Sequence, residues 1–122
     1  DYITPDGTVV PNHRLTTPSD PPRSYAYCSD TLCLKNIIPQ IKGVDLLFHE
    51  ATFAQCDAAR AKETFHTPAM QAAELAREAE AKQLVIGHFS ARYEDENILL
   101  EEAKTIYPNT LLAKENLKIT IN

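Results

Sequence analysis

Short β-prone runs alternate along the chain with segments of helical spacing. The runs that predict strands cover residues 25–28, 44–48, 84–87, 111–113 and 117–121. Between them, small or apolar residues recur every third position from 70 to 79, with Thr67 placed as N-cap and Pro68 as the first helical residue. A second helix is predicted over 95–106, before Pro108. Strands alternating with helices indicate an α/β layer structure.

The remaining segments give weaker signals. Asp6-Gly7, between short apolar stretches, predicts a hairpin turn, and the prolines that follow predict a long irregular loop. Residues 32–41 resemble a short helix that Pro39 would break if the helix ran through it. Residues 57–63 form a further short segment with Asp57 as a possible N-cap.

Composition restricts the class of protein. The 122 residues, 43% hydrophobic and 24% charged, describe one globular unit over 1–122, with no apolar run long enough to span a bilayer. The net charge of -5 argues against holding nucleic acid by bulk positive charge. Three cysteines without a Cys-x-x-Cys pair argue against a disulfide scaffold or zinc ribbon and favour a reducing, cytosolic setting. Because the chain starts at Asp1, we expect it to be processed or cut from a longer protein.

Polar residues follow three of the predicted strands at the point where each ends: Asp30, His49 with Glu50, and His88. The carboxyl ends of strands in an α/β sheet open onto the crevice where ligands bind. Carboxylates and imidazoles also suit a divalent metal such as zinc. Each residue has an alternative interpretation: Asp30 could cap a helix, the histidines could be half-buried and bonded to backbone, and Glu50 could be a solvated charge.

Other candidates lie outside these strand ends. His66 lies next to a helix N-terminus and could do no more than pack, while Arg92 and Tyr93 have the character of surface residues. A metal centre normally needs at least three protein ligands, and only Asp30 and His88 are strong candidates. From the residues alone, the site is therefore a candidate metal or acid/base site with an incomplete ligand set.

Several motifs appear in an order that resembles one family. They are Tyr-Cys-Ser-Asp-Thr at 27–31, His-Glu-Ala-Thr-Phe at 49–53, Phe-His-Thr at 65–67 with Gln-Ala-Ala at 71–73, and His-Phe-Ser-Ala-Arg-Tyr at 88–93. Together they resemble the C-terminal half of ribonuclease Z, the endonuclease family that trims the 3′ end of precursor tRNA. The resemblance implies the C-terminal β/α half of a metallo-β-lactamase-like four-layer αββα sandwich.

The resemblance also implies roles for individual residues. Asp30 corresponds to an aspartate that bridges two zinc ions, and His88 to a terminal histidine ligand. His66 takes the place of the histidine that protonates the leaving oxygen, and Glu50 that of the glutamate that orients it. Arg92 falls in a stretch that the family places near the scissile phosphate. Two metals would clamp the phosphate and activate a water, and a protonated histidine would assist the departing ribose oxygen.

Parts of the family pattern are absent from these residues. The His-x-His-x-Asp-His sequence that supplies most metal ligands, a further upstream histidine and the tRNA-gripping arm do not occur here. We therefore expect the isolated segment to bind zinc weakly or not at all, to lack nuclease activity, and to self-associate through an exposed apolar face. The implied partners are precursor tRNA, the missing N-terminal half of the same polypeptide and a second copy in a cytoplasmic homodimer, with no membrane.

Two other classes of function stay open at the level of sequence. Relatives of the same fold include arylsulfatase-like and cyclic-nucleotide phosphodiesterase-like hydrolases of small phosphate or sulfate esters. A non-catalytic α/β binding module would keep the fold without the chemistry. The substrate separates the first alternative from a tRNA nuclease, and the length of the encoded gene product bears on the second.

Overall fold

The computed structural model describes residues 1–121. The strands are β1 Tyr2–Ile3, β2 Val9–Val10, β3 Tyr25–Cys28, β4 Leu46–Glu50, β5 Leu84–Gly87 and β6 Thr110–Leu112. The α-helices are α1 Asn12–Leu15, α2 Ile38–Ile41, α3 Ala58–Glu63, α4 Ala69–Glu78 and α5 Asn97–Ile106. Short 3-10 helices at Lys35–Ile37 and Gln55–Asp57 lead into α2 and α3. No described helix has both the length and the apolar character needed to cross a bilayer.

Four parallel strands form the main sheet in the order β3-β4-β5-β6. Parallel neighbours need crossover connections, and the longer helices α4 and α5 provide two of them while packing on each other and on the sheet. The α/β class with a parallel sheet is thus confirmed. The predicted hairpin is present as the antiparallel pair β1 and β2, and the loop after it contains the short helix α1.

The two faces of the main sheet differ in what covers them. Leu47, Leu84 and Ile86 point toward the helices and are fully buried. On the opposite face, Tyr25 and Tyr27 are more than half exposed. An apolar sheet face that is open to solvent normally packs on another layer in a complete domain.

On the open sheet face, an aromatic ring lies so close to the backbone of β5 that residue 87 must be a glycine. The ring of Phe48 stacks on Tyr27 with centroids 4.8 Å apart and also lies over Gly87. A Cβ at Gly87 would come within 2.7 Å of the Phe48 ring. Any larger residue at this position would displace the ring beside the end of β5.

Four predictions of local structure need correction. The strand predicted at 44–48 is β4, which ends two residues later, so His49 and Glu50 belong to it. Pro68, not Thr67, is the N-cap residue of α4, because the Thr67 hydroxyl donates to the carbonyl of Thr31 instead (2.6 Å). Asp57 lies at the cap position of α3 without a side-chain cap bond.

The fourth correction concerns the end of the chain. Residues 117–121 form no strand in the described structure. Leu117 and Ile119 instead line a cavity together with Phe48 and Val85. The segment therefore lies against the open sheet face and does not extend the sheet at its edge.

Candidate functional site

The site lies at the carboxyl edge of the main sheet. Asp30 and His88 directly follow β3 and β5, Glu50 is the last residue of β4, and His66 lies in the loop before α4. Backbone hydrogen bonds join these loops: Ala51 N–H to the Gly87 carbonyl (2.8 Å), Thr52 N–H to that of Thr67 (3.0 Å) and Ser90 N–H to that of Thr52 (3.0 Å). The sequence prediction that the strand ends share one site is consistent with this geometry.

Glu50 is the centre of the hydrogen bonding. Its side chain is fully buried. Oε1 accepts from the Thr31 N–H at 2.6 Å. Oε2 accepts from the Thr52 hydroxyl at 2.8 Å, from His66 Nδ1 at 2.8 Å and from His88 Nδ1 at 3.0 Å. All four donors converge on one carboxylate, which is therefore a fixed part of the fold rather than a solvated charge.

These hydrogen bonds determine which tautomer each of the two imidazoles adopts. A carboxylate can only accept, so His66 and His88 must carry a proton on Nδ1. In the neutral ring, Nε2 then has a free lone pair. The two ring centroids are 5.3 Å apart. Glu50 thus fixes two neighbouring histidines with the same nitrogen available for chemistry.

Opposing effects act on the pKa of Glu50. Burial disfavours the charged carboxylate and raises the pKa, whereas the bonds from Thr31, Thr52, His66 and His88 favour it. The hydrogen bonds prevail and hold the pKa of Glu50 below its ordinary value. The carboxylate is charged at neutral pH and can pair with a protonated imidazole.

Asp30 has a contrasting environment. Its side chain is 78% exposed, and Oδ1 lies 3.6 Å from His88 Nε2. Asp30 and His88 both have positive φ angles, of 52° and 60°. Such backbone is uncommon outside glycine and concentrates at functional sites. Asp30 does not cap a helix, because the next helical element begins at Lys35 with Leu34 at its cap position.

The donor set fits a divalent metal. Asp30, His66 and His88 each offer a ligand atom, and these atoms lie within 4.8 Å of one another. Carboxylate oxygen and imidazole nitrogen are common zinc ligands. His88 also has the arrangement expected of a metal ligand, with Nε2 toward the site and Nδ1 bonded to a carboxylate behind it.

His49, the other strand-end histidine, points away from this cluster. It is fully buried, and its Nδ1 donates to the carbonyl of Glu50 at 2.9 Å. Strand alternation puts it on the helix-facing side with Leu47. Burial lowers the pKa of His49, so the imidazole is neutral in the folded protein.

Arg92 and Tyr93 are tied to the loop after β4. The Tyr93 hydroxyl accepts from the Ala54 N–H (2.8 Å) and donates to Asp57. Arg92 lies 3.4 Å from Asp57 and 5.6 Å from the ring centroid of Phe53. Tyr93 is thus a structural anchor rather than a surface residue, and Arg92 is held at the rim of the site.

Sequence reasoning missed Thr31 and Thr52 as functional groups. The Thr31 contact is made by backbone, which no residue type reveals. Thr52 could have been found, since it lies two residues after Glu50 in the same His-Glu-Ala-Thr segment and contacts both Glu50 and His88.

Sequence comparison finds close relatives along the whole chain, although no protein-family profile matches it. The chain is 71% identical over 121 residues to a ribonuclease Z of Phocaeicola vulgatus and 67% identical over 122 residues to one of Bacteroides thetaiotaomicron. These alignments cover 99% and 100% of this chain but 39% of each relative. The chain therefore spans about two fifths of the length of the curated relatives it matches.

Two solved structures superpose on this chain and have the same kind of fold. The metallo-β-lactamase fold protein YhfI from Bacillus subtilis superposes with a TM-score of 0.68 and 26% identity, over 75% of this chain and 37% of that chain. Human tRNase Z, short form, gives a TM-score of 0.56 and 32% identity, over 70% and 27%. The resemblance seen in the motifs is confirmed: the chain has part of a metallo-β-lactamase fold and belongs to the ribonuclease Z family.

Proposed function

We propose that the protein to which this segment belongs is a zinc-dependent endoribonuclease that hydrolyses a phosphodiester bond at the 3′ end of precursor tRNA in the cytoplasm. The names of its relatives support a nuclease. The observation that carries the proposal is the buried Glu50 carboxylate, which contacts His66 and His88 at once. This arrangement couples a candidate acid to a candidate metal ligand.

Asp30 and His88 are the proposed metal ligands within this segment. Their side chains face each other at the open edge of the sheet, and Glu50 orients the ligating nitrogen of His88. A bound metal supplies Lewis-acid activation of the phosphodiester and of the attacking water. We assign zinc because carboxylate and imidazole are ligands that it commonly takes in catalytic sites.

His66 is the proposed general acid. Its Nδ1 proton is engaged by Glu50 at 2.8 Å, so in the imidazolium form Nε2 carries the proton that can pass to the departing ribose 3′ oxygen. This transfer leaves the ring neutral with its proton on Nδ1. Its side chain is 23% exposed, which leaves an approach for substrate. Glu50 acts as a positioning residue because it prevents the ring from turning this nitrogen away.

Arg92 is proposed to contact the phosphate backbone of the substrate near the scissile bond. Asp57 and the Phe53 ring hold the guanidinium at the rim of the site, and the side chain stays 42% exposed. A planar guanidinium with several fixed donors suits a phosphate better than a lysine does.

The rest of the polypeptide completes this proposed site. Two metal ions need more ligands than Asp30 and His88, the two proposed within this segment. The open sheet face with Tyr25 and Tyr27 offers a surface for the layer that the resemblance puts in the N-terminal half. We therefore propose that the 122-residue segment alone binds zinc weakly and does not cleave RNA. Zinc-competition titration of the segment beside the full-length protein checks this expectation.

A homodimer is the proposed assembly of the full-length protein, on the basis of the family resemblance. Sedimentation equilibrium measures its mass directly. Twice the chain mass is expected at micromolar concentration. A monomer throughout the concentration range contradicts the assembly but leaves the proposed chemistry unchanged.

The test of function is cleavage of a 3′-extended tRNA precursor by the full-length protein with zinc or manganese. We expect a cut at the 3′ end of the tRNA, abolished in Asp30→Ala and slowed about 10²- to 10⁴-fold in His66→Ala. Arg77→Ala, a change on the exposed end of α4, is the control and should cleave normally. Hydrolysis of a small phosphate or sulfate ester without tRNA cleavage would contradict the proposal.

A further inference from the structure

A pocket of about 330 Å³ lies on one side of His66. Arg60 and Arg92 both line it, as do His66, His88 and Ser90. None of its described lining residues is a carboxylate. In a chain of net charge -5, two arginine residues lining one cavity are a local excess of positive charge.

The two arginines differ in how they are held. Arg92 is fixed by Asp57 and by the Phe53 ring. Arg60, on α3, makes no ion pair within residues 1–121. Its guanidinium has charge and donors that no described protein group neutralises. An anionic ligand in this pocket would meet one fixed cation and one free cation.

Hydroxyl groups add to the donors around the cavity. Ser90 accepts from the Arg92 backbone N–H at 3.3 Å, so its own hydroxyl proton is available to a ligand. Guanidinium and hydroxyl groups are both common protein contacts of phosphate oxygens in nucleic acids. The pocket adjoins His66, the proposed proton donor, so its ligand would lie close to the bond that is cleaved.

We propose that Arg60 and Arg92 form a subsite for the phosphate next to the scissile one in the RNA chain. The inference rests on the proposed nuclease function and adds Arg60 as a substrate-binding residue. The subsite fixes the strand on one side of His66 by charge and by guanidinium geometry. It contacts no base, so it holds precursors of any trailer sequence.

The test compares Arg60→Gln with Arg77→Gln in the full-length protein. Both substitutions remove one positive charge, and Arg77 is exposed on α4. With a 3′-extended tRNA precursor, Arg60→Gln should lower kcat/KM about tenfold, mainly through KM. The slope of log kcat/KM against log salt should become shallower by about one unit. Arg60→Lys should recover part of the loss, because it keeps the charge without the planar fork.

Replacing single phosphates by an uncharged linkage identifies the phosphate that Arg60 contacts. Each phosphate flanking the scissile one is replaced in turn by a 2′-deoxy methylphosphonate, with a matched 2′-deoxy phosphate as control. At one of the two positions, the neutral linkage should slow the wild-type protein to the level of Arg60→Gln and should not slow Arg60→Gln further.

Two results would overturn the subsite alone, and a third would overturn it together with the nuclease function. If the wild-type protein cleaves the precursor and Arg60→Gln behaves like Arg77→Gln, Arg60 is not a phosphate contact and the nuclease function stands. The same holds if the neutral linkages and Arg60→Gln have additive effects at both positions. If the wild-type protein does not cleave the precursor at all, the proposed function fails and the subsite fails with it.

Discussion

The site contains two carboxylates in opposite environments. Glu50, at the end of β4, is buried and accepts four hydrogen bonds from groups within the chain. Asp30, after β3, is largely exposed, and its ion-pair partner within residues 1–121 is His88, at 3.6 Å. The hydrogen bonding at the end of β4 is therefore satisfied by groups of this chain, whereas the end of β3 presents an exposed carboxylate to its surroundings.

The difference separates two tasks. A carboxylate that positions other groups must be buried and fully hydrogen-bonded, because any movement of its side chain would also move the groups that it holds. A carboxylate that binds metal or substrate must keep its oxygens accessible. We therefore expect substitutions at Glu50 to affect folding and activity together, and substitutions at Asp30 to affect metal binding and activity without affecting folding.

Glu50→Ala should have the largest effect on stability. It leaves the Thr31 N–H and the Thr52 hydroxyl without an acceptor in a buried site and removes the orientation of both imidazoles. We expect a loss of about 3 kcal/mol or more from the free energy of unfolding of the full-length protein. Urea denaturation measures it, with the exposed Glu101→Ala on α5 as control. A loss equal to that of the control would contradict the role of Glu50.

The same carboxylate should make the free energy of unfolding depend on pH in the acid range. Hydrogen bonds hold the pKa of Glu50 below its ordinary value of 4.5, so the unfolded chain binds the proton more readily than the folded one. The stability from this group is present above about pH 4.5 and is lost as the pH falls through the folded value. The free energy of unfolding should therefore fall more steeply below pH 4.5 in the wild-type protein than in Glu50→Gln. Equal slopes would show that Glu50 is not held in its charged form.

Thr52→Val should have an intermediate effect. It keeps the side-chain shape but removes the hydroxyl that donates to Glu50 at 2.8 Å. We expect a loss of about 1 kcal/mol from the free energy of unfolding, and a lower kcat with little change in KM. Thr17→Val, in an exposed loop, is the matched control. A normal kcat in a folded Thr52→Val protein would show that this hydroxyl does not help to position Glu50.

Asp30→Gly should have the smallest effect on stability. The residue is exposed and has a positive φ that glycine adopts readily, so the free energy of unfolding should change by less than about 0.5 kcal/mol. Zinc affinity of the full-length protein should nevertheless fall at least about tenfold, because a proposed ligand is lost. Isothermal titration calorimetry measures the affinity. Unchanged zinc binding would remove Asp30 from the ligand set.

Much of this site is visible in the sequence. Apolar runs that end in Asp30, Glu50 and His88 indicate strand ends, and parallel strands bring such ends together. What the sequence does not reveal are contacts between loops that are distant along the chain. Thr67 has the residue type of an N-cap, but the nearby Thr31 carbonyl takes its hydroxyl. Asp57 likewise bonds Tyr93 and Arg92 rather than the start of α3.

The protonation pattern of the two imidazoles tests the central role of Glu50 most directly. Long-range ¹H–¹⁵N NMR spectra of the metal-free full-length protein, at a pH where both rings are neutral, report which nitrogen carries the proton. The hydrogen bonds to Glu50 predict that His66 and His88 are protonated at Nδ1 with bare Nε2. Glu50→Gln should lose this pattern, while the exposed His13 should not change. Protonation of either ring at Nε2 in the wild-type protein would contradict the central role of Glu50.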